Sequence, residues 1–227
     1  MDTTNRPRLV LASASPARRK LLQSAGIEPE VLVSGVDESQ VDHSTPQAVS
    51  LALARLKAQA VADRLTTQRA GGVEADRQIG DPARVFVLGC DSVLAFEGTI
   101  LGKPADDDEA VRRWRRMRGR SGVLHTGHSL IDLATGRELG RVASTAVHFA
   151  AVTDDEIAAY VATGEPLYVA GAFTLDGLGG PFVERVDGDP GTVIGLSLPL
   201  LRTMLGEFGV RITDLWTPGA ANGNGSR

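Results

Sequence analysis

The chain has 227 residues and carries 24 Lys+Arg against 28 Asp+Glu, a net charge of −4. That length holds one large domain or two small ones around a substantial core, and 42% hydrophobic with 23% charged residues is the composition of a soluble globular protein. The acidic balance excludes a bulk nucleic-acid coat or a polybasic membrane binder, and 6 Phe, 2 Trp and 2 Tyr are too few for a stacking platform along single strands.

Cys90 stands alone, so neither an intrachain disulfide nor a cysteine-based zinc cluster can form. The apolar run from Leu9 to Ala12 is too short for a signal peptide, and longer apolar stretches are broken by charge or glycine before they reach a membrane span. The expectation is a cytoplasmic protein without membrane or nucleic-acid partners. Lys20, Lys57 and Lys103 are the only lysines among the basic residues. Codon bias explains such a ratio, but lysine is a compact point charge that arginine does not replace at a tight phosphate site.

Along the chain, 8–12 reads as a short buried strand. Ser15-Pro16 is an N-cap with proline at the first helical position, followed by Leu21, Leu22 and Ala25 on one face and a stop at Gly26. A strand over 31–36 leads to an acidic turn at Asp37-Glu38. Thr45-Pro46 repeats the capping device for a helix to about Arg64, with Leu53, Leu56 and Ala60 on its apolar face. Residues 66–83 are polar, glycine-rich and aperiodic, the signature of a mobile surface insertion. A strand over 85–88 ends at Gly89-Cys90-Asp91, and a turn at Glu97-Gly98 returns the chain through 99–101.

The next helix opens on Asp106, Asp107, Asp108 and Glu109. It closes with Arg112, Arg113, Arg115, Arg116 and Arg118 before Gly119, an order that complements the helix macrodipole. Val111, Trp114 and Met117 form its apolar stripe. Long strands over 122–133 and 139–152 follow, then a capping box from Thr153 to Glu156 that starts a short helix. A strand over 168–173, a glycine-rich turn, a strand over 182–186 and a helix over 198–207 complete a domain spanning 8–215. Residues 216–227 read as a disordered tail. Interleaved strands and helices with several hairpins predict a mixed, partly antiparallel α/β sheet with flanking helices.

Several motifs fail. Gly98-Thr-Ile-Leu-Gly102-Lys103-Pro104 is one residue short of a P-loop and has proline where the metal-binding hydroxyl belongs. Gly195-Leu196-Ser197 lacks the second glycine of a nucleophile elbow. His125 and His128, at i and i+3 on a strand, point to opposite faces and cannot share a metal.

Four segments remain. Ser13 and Ser15 occupy a strand-to-helix turn where free backbone N–H groups favour an anion, with Arg18 just inside the helix. Lys57 sits on the second helix, Asp91 follows a buried strand, and Lys103 precedes Pro104 in a rigid turn. Singly, Ser15 is an N-cap, Lys57 a surface lysine and Asp91 a turn residue. Together they make a polyphosphate site, with cations for the phosphates and a carboxylate to hold a metal or activate water.

The segments Leu11-Ala-Ser13-Ala-Ser15-Pro-Ala-Arg18, Val36-Asp-Glu38-Ser, Ala54-Arg-Leu-Lys57-Ala, Gly89-Cys-Asp91-Ser-Val, Leu101-Gly-Lys103-Pro, Thr126-Gly127 and Gly171-Ala-Phe-Thr-Leu-Asp176-Gly resemble the Maf family in order and spacing. That resemblance implies nucleoside triphosphate pyrophosphatases, house-cleaning enzymes also linked to septum formation and cell-division arrest. It implies two lobes around a deep cleft, a homodimer, and a divalent cation, Mg or Mn. By the family's pattern Asp91 is the catalytic carboxylate, as base or as metal ligand. Ser13, Ser15, Arg18, Lys57 and Lys103 bind the triphosphate, and Glu38 assists Asp91 at the metal. The alternative is a division-linked nucleotide-binding protein without turnover.

Three positions associated with base choice in the family are Ala17, Ser92 and Asp176. The dTTP/UTP-selective branch commonly has arginine and glutamine at the first and third. A branch acting on 7-methyl-GTP has an acid at the third but a bulky aromatic at the first. An ionised Asp176 accepts from guanine N1–H or an exocyclic amine but cannot donate to a uracil or thymine carbonyl, so relaxed or altered base preference is expected.

Overall fold

The computed structural model describes residues 6–38, 45–71 and 84–217. A seven-stranded mixed sheet runs in the order β2-β1-β3-β5-β6-β7, with β4 paired to the far end of β3. The strands are β1 (Arg8–Leu11), β2 (Glu30–Val31), β3 (Val85–Phe96), β4 (Thr99–Leu101), β5 (Ser121–Asp132), β6 (Glu138–Phe149) and β7 (Val183–Asp187). The helices are α1 (Pro16–Ser24), α2 (Pro46–Gly71), α3 (Asp107–Met117), α4 (Asp154–Ala162), α5 (Pro190–Ile194) and α6 (Leu198–Glu207). β1 pairs in parallel with β2 and β3, and the remaining ladders are antiparallel. Among the described residues no helix is long and apolar enough to cross a membrane.

The expected caps form. Ser15 Oγ accepts from Arg18 N, Thr45 Oγ1 from Ala48 N at 3.1 Å, and Thr153 and Glu156 close their capping box. Elsewhere local pattern gives way to tertiary context. The strand read over 31–36 shrinks to Glu30–Val31, because β1, its parallel partner, ends at Leu11, and Gly35 turns the chain at φ +67°. Residues 168–173 form short 3-10 turns and no strand, since Gly171 and Ala172 both adopt positive φ. Residues 66–71, read as part of an insertion, continue α2, and 72–83 lie outside the described residues. Trp216 bridges Ile27 and Thr217 N donates to Gly26 O at 2.9 Å, so those two residues are tied to the domain. Residues 218–227 lie outside the described set.

The strand expected to end at Leu88 instead runs twelve residues, and its Gly-Cys-Asp is mid-strand. Two glycines explain why. A Cβ on Gly89 would stand 2.2 Å from Ala54 O, and one on Gly127 would stand 2.2 Å from Ser50 O. The backbone of α2 therefore rests directly on β3 and β5. This contact also sets which face of α2 is inside: Val49, Leu53, Ala54, Ala58, Val61 and Ala62 are buried, while Leu56, expected inward, is 37% exposed. Small Ala54 and Ala58 meet Gly89, the backbone of Ser50 and Leu51 meets Gly127, and the larger Leu56 is rotated away.

On the opposite face the core is split. One cluster joins Leu9, Leu11, Leu22, Phe86 and Leu88 with Leu201, Met204 and Leu205 of α6. The other joins Leu94, Phe96 and Leu124 with Trp114 of α3 and Tyr160 of α4. Trp114 is its hub, edge-on to Phe149, Tyr160 and Phe182 and donating Nε1–H to Ala172 O at 2.7 Å. The arginines of α3 are largely spent within the fold. Arg115 and Arg118 pair with Asp154, and Arg116 and Arg120 with Glu97. Exposed pairs of this kind contribute about 0–1 kcal/mol each. Two lobes thus share β3, β5 and β6.

Gly89→Ala and Gly127→Ala each force a methyl group into helix backbone. Each is expected to cost about 3 kcal/mol or more. Thermal unfolding should show a fall in Tm of roughly 6–12 °C, or loss of soluble protein.

Candidate active site

β1 covers one edge of β3 only from Val85 to Leu88, and β4 covers the same edge only from Leu94 to Phe96. Between them, at residues 89–93, that edge has no strand neighbour among the described residues, and Asp91 and Ser92 lie in the gap. Because successive strand residues alternate faces, Asp91 points to the α2 face and Ser92 to the other. The break in pairing is where both faces can be reached.

On the α2 face Lys57 Nζ lies between two carboxylates. It contacts Asp91 Oδ1 closely and Glu38 Oε1 at 2.9 Å. The lysine and Asp91 side chains are 11% and 13% exposed, whereas Glu38 is 53% exposed. Without Lys57 the enclosed Asp91 carboxylate would be an uncompensated charge, whereas Lys57 without Asp91 would keep Glu38 as its partner.

On the other face the guanidinium of Arg18 is held by three acceptors. Nε donates to Gly195 O at 2.8 Å, Nη1 to Ser13 Oγ at 3.0 Å and Nη2 to Ser92 Oγ at 3.1 Å. One N–H on each terminal nitrogen is left for an anion. Thr126 Oγ1 gives its hydrogen to Thr192 O at 2.8 Å, so in its 2.8 Å contact with Ser92 Oγ the serine must donate. The hydroxyl of Ser92 is thus an acceptor toward Arg18 and a donor toward Thr126. Ser13 Oγ also accepts from Ser15 N at 3.2 Å, shaping the turn before α1.

The fold therefore brings together Ser13, Ser15, Arg18, Ser92, Lys57, Asp91 and Glu38, with Ala17 half-buried in the first turn of α1. Lys103 and Asp176 stand on separate turns, both exposed, and neither has a hydrogen bond or ion pair to this group among the described residues. Their turns are braced individually. Arg113 donates to Gly102 O at 2.6 Å and to Lys103 O at 3.4 Å while paired with Glu109 at 2.5 Å. Glu165 collects Tyr160 OH, Thr174 Oγ1, Leu178 N and Gly179 N around the Asp176 turn. Burial pushes the Glu165 carboxyl up, but these donors together hold it below the usual range. Gly171 N donates to Gly102 O at 3.0 Å, linking the two turns.

Sequence reasoning missed Thr126 as a linker, Thr192 and Gly195 as acceptors, and Arg113 and Glu165 as braces. Thr126 lies in a segment already singled out, but backbone acceptors carry no side-chain signal at all. Arg113 looks solvated in the helix pattern, yet its side chain is only 10% exposed. His125 and His128 do point to opposite faces, and among the described residues no group of three or more His, Cys, Asp and Glu could hold a metal.

The site thus belongs to an α/β protein with a mixed open sheet, in which cations, a helix N-terminus and a carboxylate converge where one edge of β3 lacks a strand neighbour among the described residues, an arrangement suited to an anion. The Maf-like protein family model matches residues 8–208, and the chain belongs to that family. It is 64% identical over 214 residues to a nucleoside triphosphate pyrophosphatase of Salinispora tropica, covering 94% of this chain and 89% of that one. Proteins with the same name from Streptomyces coelicolor and a Cyanothece strain are 56% identical over 218 residues and 53% identical over 207 residues. Those matches cover 96% and 91% of this chain and 98% of each relative.

Burial of His128 pushes its pKa from 6.5 down to about 4. Between those values the unfolded chain holds more protons than the folded one, so stability falls as pH drops from about 6.5. His125 is lowered too, also by burial. Replacing His128 by leucine is expected to flatten the stability–pH slope between about pH 6.5 and about pH 5 by up to about 1.4 kcal/mol per pH unit. Urea unfolding at several pH values measures the difference, and parallel curves would refute it.

Proposed function

We propose that the chain hydrolyses nucleoside triphosphates to the nucleoside monophosphate and pyrophosphate. The observation that carries this reading is Asp91 where one edge of β3 lacks a strand neighbour among the described residues, ion-paired with Lys57 on one face and one residue from the Arg18 anchor on the other. A triphosphate crossing the gap meets the spare N–H groups of Arg18 and the hydroxyls of Ser13 and Ser15 at the start of α1, with Lys57 and Lys103 adding positive charge. Such fixed charges stabilise a displacement in which water attacks the α-phosphorus and the bond to the β-bridging oxygen breaks. Asp91 orients that water or takes its proton, and the electron pair of the broken bond leaves with pyrophosphate. The names of the relatives agree with this chemistry.

The donor set suits a divalent cation. Lys57 Nζ already marks a point where positive charge is shared by Asp91 and Glu38. Two carboxylates completed by phosphate oxygens and water are a usual Mg²⁺ arrangement, and such an ion would polarise the phosphate being attacked. Ala17 and the exposed Asp176 leave base choice without the donors that would favour uracil or thymine.

Purified protein with Mg²⁺ or Mn²⁺ should convert dTTP, UTP, CTP, GTP, ATP or 7-methyl-GTP to the monophosphate. Inorganic phosphate should appear only when a pyrophosphatase is added. Phosphate without that coupling enzyme would place cleavage at the wrong bond. Asp91→Asn is expected to lower kcat roughly a hundredfold or more with the fold retained by circular dichroism; near-normal turnover would move the role elsewhere. A kcat/KM for dTTP and UTP exceeding the other bases by about a hundredfold would defeat the altered base preference.

A further inference from the structure

The imidazole of His128 takes no part in the reaction described above, yet it is fully buried beside the Arg18 anchor. Its position on β5 is opposite Cys90 of β3 in register. Its Nε2 accepts from Ser197 N at 2.9 Å, and its Nδ1 is 3.0 Å from Thr126 O. Both contacts are satisfied only by a neutral ring with its hydrogen on Nδ1.

These bonds fasten a short stretch of chain at both ends. Thr126 Oγ1 holds Thr192 O at the start, and His128 Nε2 holds Ser197 N at the finish. Midway lies Gly195, at φ +126°, whose carbonyl receives Arg18 Nε. A Cβ on Gly195 would sit 3.0 Å from Arg18 Nε, so the segment and the guanidinium are already in close contact. Any slackening at Ser197 moves the acceptor that sets the tilt of the guanidinium.

The surroundings keep the ring in the required state. Burial is the main cause of its depressed pKa; the hydrogen bond to Thr126 O opposes it, Arg18 lowers the pKa further and Asp189 raises it. Cys90, facing it across the ladder, has its thiol pushed up to about 12 by burial and carries no charge at neutral pH. The acceptor on Nε2 is therefore kept at neutral pH. An aliphatic side chain would fill the same space but leave the buried Ser197 N–H without a partner.

We propose that His128 is a positioning residue for the phosphate site, acting as a neutral acceptor that fixes the 192–197 segment and through Gly195 O the orientation of the Arg18 guanidinium. The inference rests on the reading of Arg18 as a triphosphate ligand. It predicts that loss of the acceptor weakens substrate binding more than it slows chemistry, because Asp91 and Lys57 lie on the other face of β3.

The test compares Arg18→Ala, His128→Leu, His128→Gln and the double variant Arg18→Ala/His128→Leu. KM and kcat are measured on the best triphosphate of the panel, and Kd on its α,β-methylene analogue. His128→Leu is expected to raise KM and Kd about tenfold with kcat within about threefold. His128→Gln, which offers an amide oxygen to Ser197 N–H, should recover most of the loss. In the Arg18→Ala background His128→Leu should add less than about twofold. A wild-type KM in His128→Leu beside a raised KM in Arg18→Ala overturns the positioning role alone. An undiminished effect of His128→Leu without Arg18 does the same. Unchanged binding in Arg18→Ala overturns both the ligand reading and this inference. Wild-type ¹⁵N spectra supply a check free of folding defects: a bare Nε2 and protonated Nδ1 at neutral pH support the proposal, and the reverse tautomer refutes it.

Discussion

A twelve-residue strand whose one edge, among the described residues, is covered at both ends but not in the middle is the constraint on which this molecule turns. β1 is four residues long and β4 three, so neither reaches the centre of β3. The chain can leave β1 at Ala12 and enter α1 within the width of that gap, which places a helix N-terminus and Arg18 beside the middle of a buried strand. Polar side chains at residues 91 and 92 are tolerated there because each has a partner on its own face. Among the described residues no buried side-chain nitrogen or oxygen lacks a hydrogen bond, as expected where an unmet polar group would cost about 1–3 kcal/mol.

The same gap divides the core. The apolar clusters on the α6 side and the α3 side meet at a polar layer of Arg18, Ser92, Thr126 and His128. A continuous leucine and phenylalanine layer would be the simpler solution for stability alone. The layer instead links β1, α1, β3, β5 and the segment before α6 through directional bonds, which specify position where apolar packing would tolerate small shifts. Its cation is oriented on one side of the sheet while Lys57 and Asp91 are oriented on the other by α2.

That second orientation depends on contact between helix backbone and strand backbone at Gly89 and Gly127. Lys57 can reach Asp91 with its side chain mostly enclosed because α2 lies so close to the sheet. Glycine here is a packing requirement, which explains why the Gly89-Cys90-Asp91 sequence imitates a turn. The misreading of the strand end and the misassigned face at Leu56 have this one cause: both depend on the distance between two elements far apart in sequence.

Local patterns were sufficient where the physics is local. The Ser15-Pro16 and Thr45-Pro46 caps, the Thr153–Glu156 capping box, the charge order of α3, the mixed α/β class and the opposite facing of His125 and His128 all depend on residues within a few positions of each other. The candidate site was legible as residue types: Ser13, Arg18, Lys57 and Asp91 stand in segments whose order resembles one family. Their arrangement was not, because alternation on β3 puts Asp91 and Ser92 on different faces only once the strand is known to continue past Leu88. Residues 168–173 have the composition of a strand, yet positive φ at Gly171 and Ala172 removes them from the sheet. The sequence by itself thus determined which elements and which chemistry this protein carries. The tertiary structure decided where the sheet breaks, which face each charge occupies and which backbone carbonyl holds Arg18, since pairing limits, helix–sheet distance and main-chain acceptors have no signature in side-chain order.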